Sequence, residues 1–256
     1  MINIVIPMAG AGSRFLKAGY LSPKPLIEVH GVPMISVVIN NLRPSTAHRF
    51  IFIAQREHVL TYNLTEKLNI LSPGSILIPL DGITEGATCS VLVARKFIDN
   101  DEQLMIANSD QYVDIPSIDA YLNQMKKQKL DGLIMTMTAD DPKWSFVKLN
   151  KIGRVEKVVE KKVISDEATV GIYNFRRGSD FVRAAEHMIK HNLRENGEFY
   201  VAPTYNTLIN ENLKIGIYNI GRDGAGMYGL GTPRDLDIFL ALPISIQATK
   251  EVRACT

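Results

Sequence analysis

The sequence predicts an α/β fold with a mixed, mostly parallel sheet and a lobe added in its second half. Short runs rich in apolar and β-branched residues alternate with segments of helical periodicity up to about residue 140. Beyond that point, strand-like runs follow one another with a hairpin signal between them. The alternating part indicates parallel strands joined by crossover helices, and the later part indicates antiparallel or mixed pairing.

Strands and helices alternate through the first half. Residues 2–7 are predicted to be a buried strand, and Pro33 suits the first turn of a helix over residues 34–42. After Gly86, apolar residues recur with helical spacing and predict a helix over residues 87–97. The other predicted strands are residues 50–54, 75–80, 104–107 and 133–138.

The second half begins with a predicted hairpin, in which residues 144–149 and 154–159 flank a turn that ends at Gly153. A last helix is predicted to begin at Thr232 and Pro233. Between them lie predicted strands at residues 169–175 and 214–220 and predicted helices at 179–191 and 201–209. Since no linker or low-complexity segment separates the halves, we expect one domain over residues 1–256, divided near residue 140.

Composition restricts the class of protein. Hydrophobic residues make up 46% of the 256 residues and charged residues 22%, which is the ordinary globular mixture. A net charge of +2 argues against a surface that binds nucleic acid, and we expect the partner to be a small molecule. Two cysteines, Cys89 and Cys255, are too few for a disulfide framework. With no signal-peptide pattern or membrane-length apolar run, we expect a cytoplasmic protein without a membrane anchor, and a homo-oligomer is compatible with the sequence.

A glycine-rich turn directly follows the first predicted strand. Gly10 and Gly12 allow backbone N–H groups to approach phosphate oxygens without obstruction by a Cβ atom. Phe15 stands where a dinucleotide-binding loop requires Gly or Ala, and the Lys of a Walker loop is missing. An ordinary strand-to-helix turn would also fit this loop taken alone.

A second motif favours an anion site. Lys24 lies between Pro23 and Pro25, which restrict the backbone and lower the entropy lost when the lysine holds an anion. Arg14 in the glycine loop is always charged. Two positioned cations beside a glycine loop indicate a polyphosphate site.

These residues resemble the nucleotidyltransferase family, which condenses a nucleoside triphosphate with a sugar 1-phosphate or a similar phosphorylated acceptor. The family signature, Gly-x-x-x-Arg-Phe followed by Pro-Lys-Pro, is matched by residues 10–15 and 23–25. The resemblance implies a Rossmann-like, GT-A-like sheet with a nucleotide-binding first half and an acceptor-binding second half. Further segments that match in the family's order are residues 85–88, 108–110, 160–161, 170–175, 197–203 and 229–236.

The resemblance also implies roles for individual residues. Arg14, Lys24 and Asp110 are the expected catalytic residues, and Asp110, at the end of a predicted strand, is the expected Mg²⁺ ligand. An aspartate that merely caps a turn is the alternative interpretation of Asp110. The residues expected to contact the nucleotide are Ala9, Gly10, Ala11, Gly12, Ser13, Arg14, Lys24, Glu85, Gly86, Ala87 and Asn108.

One position departs from the family pattern. Many members carry a second metal-binding aspartate shortly before the late Gly-Thr pair, where this sequence has Gly229. Asp223, Glu198 or additional water is expected to replace that ligand.

The acceptor is expected to contact Trp144, Glu160, Lys161 and Glu198. Core packing of Trp144, a solvated charged run around Lys161 and a helix cap at Glu198 are the alternative interpretations.

Together these features predict Mg²⁺-dependent transfer of a nucleoside monophosphate to a phosphorylated acceptor, with release of pyrophosphate. The segments around Trp144 and Glu198 resemble a subgroup found with bacterial capsule and surface-polysaccharide genes, which includes a CTP:phosphoglutamine cytidylyltransferase. This resemblance favours CTP. The alternatives are a sugar-1-phosphate nucleotidyltransferase that uses UTP, GTP or dTTP, a catalytically silent regulatory homologue, and a glycosyltransferase that uses a sugar nucleotide.

Overall fold

The structure of the chain is a computed structural model that describes residues 1–254, so that Cys255 lies outside the described residues. The described strands are β1 (Ile2–Pro7), β2 (Glu28–Val29), β3 (Val32–Pro33), β4 (His48–Gln55), β5 (Ile76–Leu80), β6 (Gln103–Ala107), β7 (Gln111–Val113), β8 (Gly132–Thr138), β9 (Ser145–Leu149), β10 (Val155–Glu160), β11 (Glu167–Phe175), β12 (Ile215–Asp223) and β13 (Gly226–Gly229).

The helices of the same described part are α1 (Ser13–Lys17), α2 (Met34–Leu42), α3 (Arg56–Thr61), α4 (Leu64–Leu71), α5 (Ala87–Leu92), α6 (Arg95–Ile98), α7 (Ile118–Lys127), α8 (Gly178–Lys190), α9 (Tyr205–Asn210), α10 (Pro233–Leu240) and α11 (Pro243–Ala254). Among the residues that the structure describes, no helix has the length and apolar character needed to cross a membrane.

Residues 1–254 form an 11-stranded sheet and a small two-stranded sheet made by β2 and β3. The path through the large sheet is β5-β4-β1-β6-β11-β8-β12-β13-β7, and β9 and β10 form a hairpin beside β11. Neighbours from β5 to β6 are parallel, whereas β11 is antiparallel to both β6 and β8. The expected mixed, mostly parallel α/β sheet is therefore confirmed.

Helices cover both faces of this sheet. Side chains of β1 alternate between the two faces. Ile4 belongs to an apolar cluster that includes residues of α2, α4 and α7, and Val5 belongs to one that includes residues of α5, α8 and α9. A third cluster lies beneath α10 and α11 and includes Phe15, Met34 and Phe239. This third cluster anchors the start of α1, and hence the glycine loop, against the C-terminal helices.

Two predicted helices differ from the structure. The helix expected over residues 87–97 is divided into α5 and α6, because Val93 and Ala94 donate to carbonyls three residues back and tighten the chain. The helix expected over residues 201–209 begins instead as a 3₁₀ turn at Ala202–Thr204, followed by α9. Pro203 has no N–H to donate and so favours this short first turn.

The predicted strand at residues 133–138 forms, but its neighbours were not foreseen. It was expected to continue the parallel series, whereas β11 lies between β6 and β8 and is antiparallel to both. The predicted hairpin of residues 144–149 and 154–159 is confirmed by β9 and β10.

Candidate active site

The candidate site lies where the strand order of the sheet reverses. From β1 the chain proceeds to β4 and β5 on one side of the sheet and then returns to β6 on the other side of β1. Loops that leave the carboxyl ends of β1 and β6 therefore diverge and open a crevice, which is the usual ligand position in open α/β sheets. The glycine loop leaves β1 here, and Asn108 and Asp110 leave β6.

The backbone of the glycine loop is fixed from both sides. Gly12 begins α1 with φ +61°, a left-handed conformation that glycine adopts without strain. A Cβ atom at Gly12 would lie 3.7 Å from Cβ of Lys24, so the two motifs lie close together. On the other side, Gln55 Nε2 donates to the carbonyl oxygen of Ala9 at 2.5 Å.

Lys24 and Asp110 form an ion pair at the crevice. Lys24 Nζ lies 2.8 Å from Asp110 Oδ2, and their side chains are 22% and 21% exposed. Lys24 starts a 3₁₀ turn, Lys24–Leu26, that follows Pro23. The fold thus joins the Pro-Lys-Pro motif to the aspartate at the end of β6.

The two members of this ion pair line different cavities. One, of about 340 Å³, is called the cleft below, and its lining includes Arg14, Asn108, Asp110, Lys143, Trp144 and Asp235. The other, of about 210 Å³, lies behind the glycine loop against α3 and is lined in part by Lys24. Arg14 is exposed and forms no ion pair within residues 1–254, so its guanidinium is available to an anion in the cleft.

The expected replacements for the missing second carboxylate lie in different places. Asp223 lines the cleft but is 53% exposed, and its Oδ2 atom is 3.8 Å from Lys143 Nζ. Glu198 is exposed, pairs with Glu195 in an isolated β-bridge, and is not part of the described cleft lining. Asp235, in the first turn of α10, lines the cleft and was missed in the sequence. Asp235 lies three residues after Thr232, a spacing typical of a helix cap. The sequence therefore provided no reason to assign Asp235 a binding role.

No three His, Cys, Asp or Glu side chains of the described chain are close enough together to hold a metal ion by themselves.

The segment expected to contact the nucleobase is joined to the second half of the chain. Phe199 N donates to the Glu85 carbonyl at 2.8 Å, and Thr88 N donates to the Phe199 carbonyl at 3.0 Å. The Glu85 carboxylate lies 2.5 Å from the guanidinium of Arg194, which also stacks over the Phe199 ring at 4.3 Å. We call residues 194–199 the strap, because they hold the start of α5, and with it Gly86 and Ala87, in place. Arg194 was not singled out in the sequence, and Phe199 was noted only as part of the family-like segment 197–203.

Glu160 is a buried carboxylate on the hairpin. It lies opposite Ser145 in the β9–β10 register, is 7% exposed and accepts a hydrogen bond from the Ser145 hydroxyl. Burial raises the pKa of Glu160 above its ordinary value, although the Ser145 hydrogen bond acts in the opposite direction.

The neighbouring lysine points elsewhere. Lys161 Nζ donates to the Tyr200 hydroxyl at 2.5 Å and lies 4.7 Å from the centre of the Tyr200 ring. The Tyr200 hydrogen bond raises the pKa of Lys161. Glu160 and Lys161 are therefore near the strap and do not line the cleft as the structure describes it.

Trp144 combines both interpretations offered by the sequence. It is half-buried and packs against the apolar cluster on one face of the sheet, yet it also lines the cleft. Lys143 Nζ lies 4.9 Å from the centre of its ring, which adds an unforeseen cation to the cleft wall.

Comparisons with known proteins agree with this architecture. A family model described as nucleotidyl transferase matches residues 4–202. A 2-aminoethylphosphonate cytidylyltransferase from Lancefieldella rimae is 34% identical over 98 residues, which cover 34% of this chain and 40% of that protein. The chain thus spans less than half the length of that curated relative.

Two solved structures share the fold. The nucleoside-diphosphate-sugar pyrophosphorylase from Vibrio cholerae RC9 is 29% identical, with a TM-score of 0.79, and the match covers 93% of this chain and 100% of that one. The inositol-1-phosphate CTP transferase from T. maritima is 13% identical, with a TM-score of 0.74, and covers 98% of this chain and 96% of its own. The second likeness shows the fold alone.

Proposed function

The chain belongs to the nucleotidyl transferase family, and from that premise we propose that it transfers a nucleoside monophosphate from a nucleoside triphosphate to a phosphorylated small-molecule acceptor. The observation that carries this proposal is the Lys24–Asp110 ion pair at the sheet's switch point, with Arg14 uncommitted beside it. An anion-binding lysine held against a carboxylate suits a site that must bind both phosphate oxygens and a cation.

The reaction is an in-line displacement at phosphorus. An oxygen of the acceptor phosphate forms a bond to the α-phosphorus, and the bond from that phosphorus to the bridging oxygen breaks to release pyrophosphate. Since the attacking oxygen is already an anion, no strong general base is required. Alignment and charge neutralisation therefore carry the catalysis.

Each cation of the site has a distinct part in this scheme. Arg14 and the glycine-loop amides hold the β- and γ-phosphates. Lys24 stabilises the negative charge that shifts around the α-phosphate during the reaction. Lys24 can leave Asp110 for a phosphate oxygen because the pair is partly exposed. Glu85, Gly86 and Ala87 lie at the nucleobase, and Asn108 lies beside the phosphates.

The residues present fit a magnesium ion. The donor set at the cleft consists of hard carboxylate oxygens, which Mg²⁺ prefers. A Cβ atom at Gly231 would lie 2.8 Å from Asp110 Oδ2, so the glycine leaves space beside this oxygen. Asp110 would hold the ion, which when bound supplies positive charge to the phosphate oxygens.

We propose CTP as the nucleotide, and the second half of the chain as the acceptor-binding half. The cytidylyltransferase relative supports CTP, as does the resemblance to the capsule subgroup. Trp144 lines the cleft, whereas Glu160, Lys161 and Glu198 lie outside its described lining, and all four are proposed to contact the acceptor. The product would serve capsule or surface-polysaccharide synthesis in the cytoplasm.

The test is pyrophosphate release from CTP, UTP, GTP, ATP and dTTP, each with Mg²⁺ and a panel of acceptors. The panel contains sugar 1-phosphates, phosphocholine, phosphoglutamine, 2-aminoethylphosphonate and inorganic phosphate. Release that requires CTP and one organic acceptor supports the proposal. Release with another nucleotide would overturn CTP, and nucleotide binding without any release would favour a silent homologue.

A further inference from the structure

Two glycines line the cleft between a pair of carboxylates. Gly229 and Gly231, with Leu230 between them, are called the glycine strip here. A Cβ atom at Gly231 would lie 2.8 Å from Asp110 Oδ2, and one at Gly229 would lie 3.9 Å from Asp235 Oδ2. The strip thus lies against both carboxylates, and its lack of side chains leaves the space next to them free.

The Asp235 carboxylate differs from the other two acidic groups of the cleft. Asp110 is paired with Lys24, and Asp223 lies near Lys143. Within residues 1–254, the Asp235 side chain makes no hydrogen bond or ion pair, although its backbone N–H donates to the Thr232 hydroxyl at 3.1 Å. That cap fixes the first turn of α10 and so places the carboxylate at the strip.

An unpaired carboxylate is unfavourable in a cleft that binds a polyphosphate. Like charges repel, and the repulsion grows as the ligand displaces water from between them. A divalent cation between the carboxylate and the phosphates would convert this repulsion into attraction, as Mg²⁺ sites with one or two carboxylates commonly do.

A separate observation indicates that this part of the cleft is completed by a ligand. Gln111 is 7% exposed and lines the cleft next to Asp110. No atom of the described chain accepts a hydrogen bond from its buried Nε2 atom. A buried donor without an acceptor is costly, and a bound substrate oxygen would satisfy it.

We propose that Asp235 is the second carboxylate ligand of the catalytic metal ion, held with Asp110 across the glycine strip. The inference rests on the proposed function, because it assigns the metal to the same phosphate-binding cleft. Asp223 is then a rim residue that neighbours Lys143 and takes no part in metal binding.

The experiment is a titration of the intact protein with Mn²⁺ alone and with Mn²⁺ plus CTP, followed by electron paramagnetic resonance of the free ion. Loss of a ligand should weaken Mn²⁺ binding by at least about tenfold, since even indirect partners of metal ligands have effects of that size. We expect this loss in Asp235→Asn, and we expect the matched control Asp223→Asn to bind Mn²⁺ as the wild type does.

A rescue variant separates metal binding from folding. Placing an aspartate on the strip in the double variant Asp235→Asn, Gly229→Asp returns a carboxylate to the same space and should restore most of the affinity. Thermal unfolding without metal checks that each variant is folded.

The outcomes are decisive. Unchanged Mn²⁺ affinity in Asp235→Asn, or a loss in Asp223→Asn instead, overturns the inference whether or not the enzyme releases pyrophosphate. If Mn²⁺ binding depends on Asp235 but the wild type releases no pyrophosphate with any substrate pair, the metal site stands and the proposed function fails.

Discussion

At the scale of single residues, the Lys24–Asp110 pair is better suited to substrate binding than to stability. Both side chains are about one-fifth exposed to solvent. An ion pair of this kind contributes on the order of 1 kcal/mol or less to the free energy of unfolding. The pair's value lies in its position, because it holds Lys24 where the α-phosphate is proposed to bind.

We expect Lys24→Ala to lower kcat by about 10²–10³, as does the removal of other donors that stabilise transition-state charge. The fold should be retained, because Lys24 is partly exposed and its ion pair contributes little to stability. Steady-state pyrophosphate release measures the effect. The matched control is Lys17→Ala, on the exposed end of α1, which should keep wild-type turnover. Normal turnover in Lys24→Ala would contradict the assigned role.

Glu160 gives stability a dependence on pH. Burial raises its folded-state pKa, so the folded protein binds this proton more tightly than the unfolded chain does. Stability from this group is therefore greatest below the ordinary carboxyl pKa and falls as the pH rises through the raised pKa.

The variant Glu160→Gln should remove that loss, because the amide keeps the size of the side chain and stays neutral. We expect wild type and variant to be similar in acid and the variant to be the more stable at neutral pH. Urea unfolding between about pH 4 and pH 8 measures this. Glu156→Gln, an exposed position on the same strand, should retain the wild-type pH slope. If the unfolding free energy of wild type and Glu160→Gln depended on pH in the same way, burial of the Glu160 carboxylate would not be the cause of the pH dependence.

At the scale of elements, the strap connects the proposed nucleobase segment to the proposed acceptor half. Gly86 has φ +125°, and a Cβ atom there would lie 2.6 Å from both N and O of Phe199. The absence of a side chain at this position is what allows the two backbone hydrogen bonds of the strap to form.

Gly86→Ala and Gly82→Ala form a matched pair. Both positions have positive φ, but a Cβ atom at Gly82 would meet nothing within 4 Å. We expect Gly82→Ala to destabilise by about 1–2 kcal/mol through backbone strain alone. Gly86→Ala should cost about 1–3 kcal/mol more, because its Cβ displaces the strap.

The Gly86→Ala variant should also raise the KM for the nucleotide, whereas Gly82→Ala should not. Urea unfolding and initial rates measure the two effects. Equal losses of stability in the pair would show that the strap contact contributes little.

At the scale of the whole molecule, the sheet continues across the boundary proposed near residue 140. In the described chain, β11 of the second half lies between β6 and β8 of the first, and β12 extends the sheet beyond β8. Neither half can complete its part of the sheet without the other, and the two should unfold together.

The chain's one tryptophan, Trp144, lies in the second half and packs against the core, so its fluorescence reports unfolding locally. We expect urea transitions followed by this fluorescence and by far-ultraviolet circular dichroism to coincide, as in a two-state transition. A fluorescence transition at lower urea would show that the second half unfolds independently.

Local patterns predicted many of the elements, and contacts that are distant in sequence decided the exceptions. The helix at residues 34–42 and the hairpin around Gly153 formed as predicted, because periodicity and turn residues determine them locally. The position of β11 between β6 and β8 could not be predicted, because sheet order depends on pairing between distant segments.

The sequence by itself determined the α/β class and supplied the residues of the proposed phosphate site, since the glycine loop, Arg14 and Lys24 are encoded in short motifs whose chemistry is local. The tertiary structure alone decided that Lys24 meets Asp110, that Phe199 fits against Gly86, and that Asp235 reaches the strip beside Gly229. Sequence spacing does not reveal the first two contacts, because each joins segments far apart in the chain that strand order brings together. The third joins consecutive elements and depends on how α10 packs beside β13.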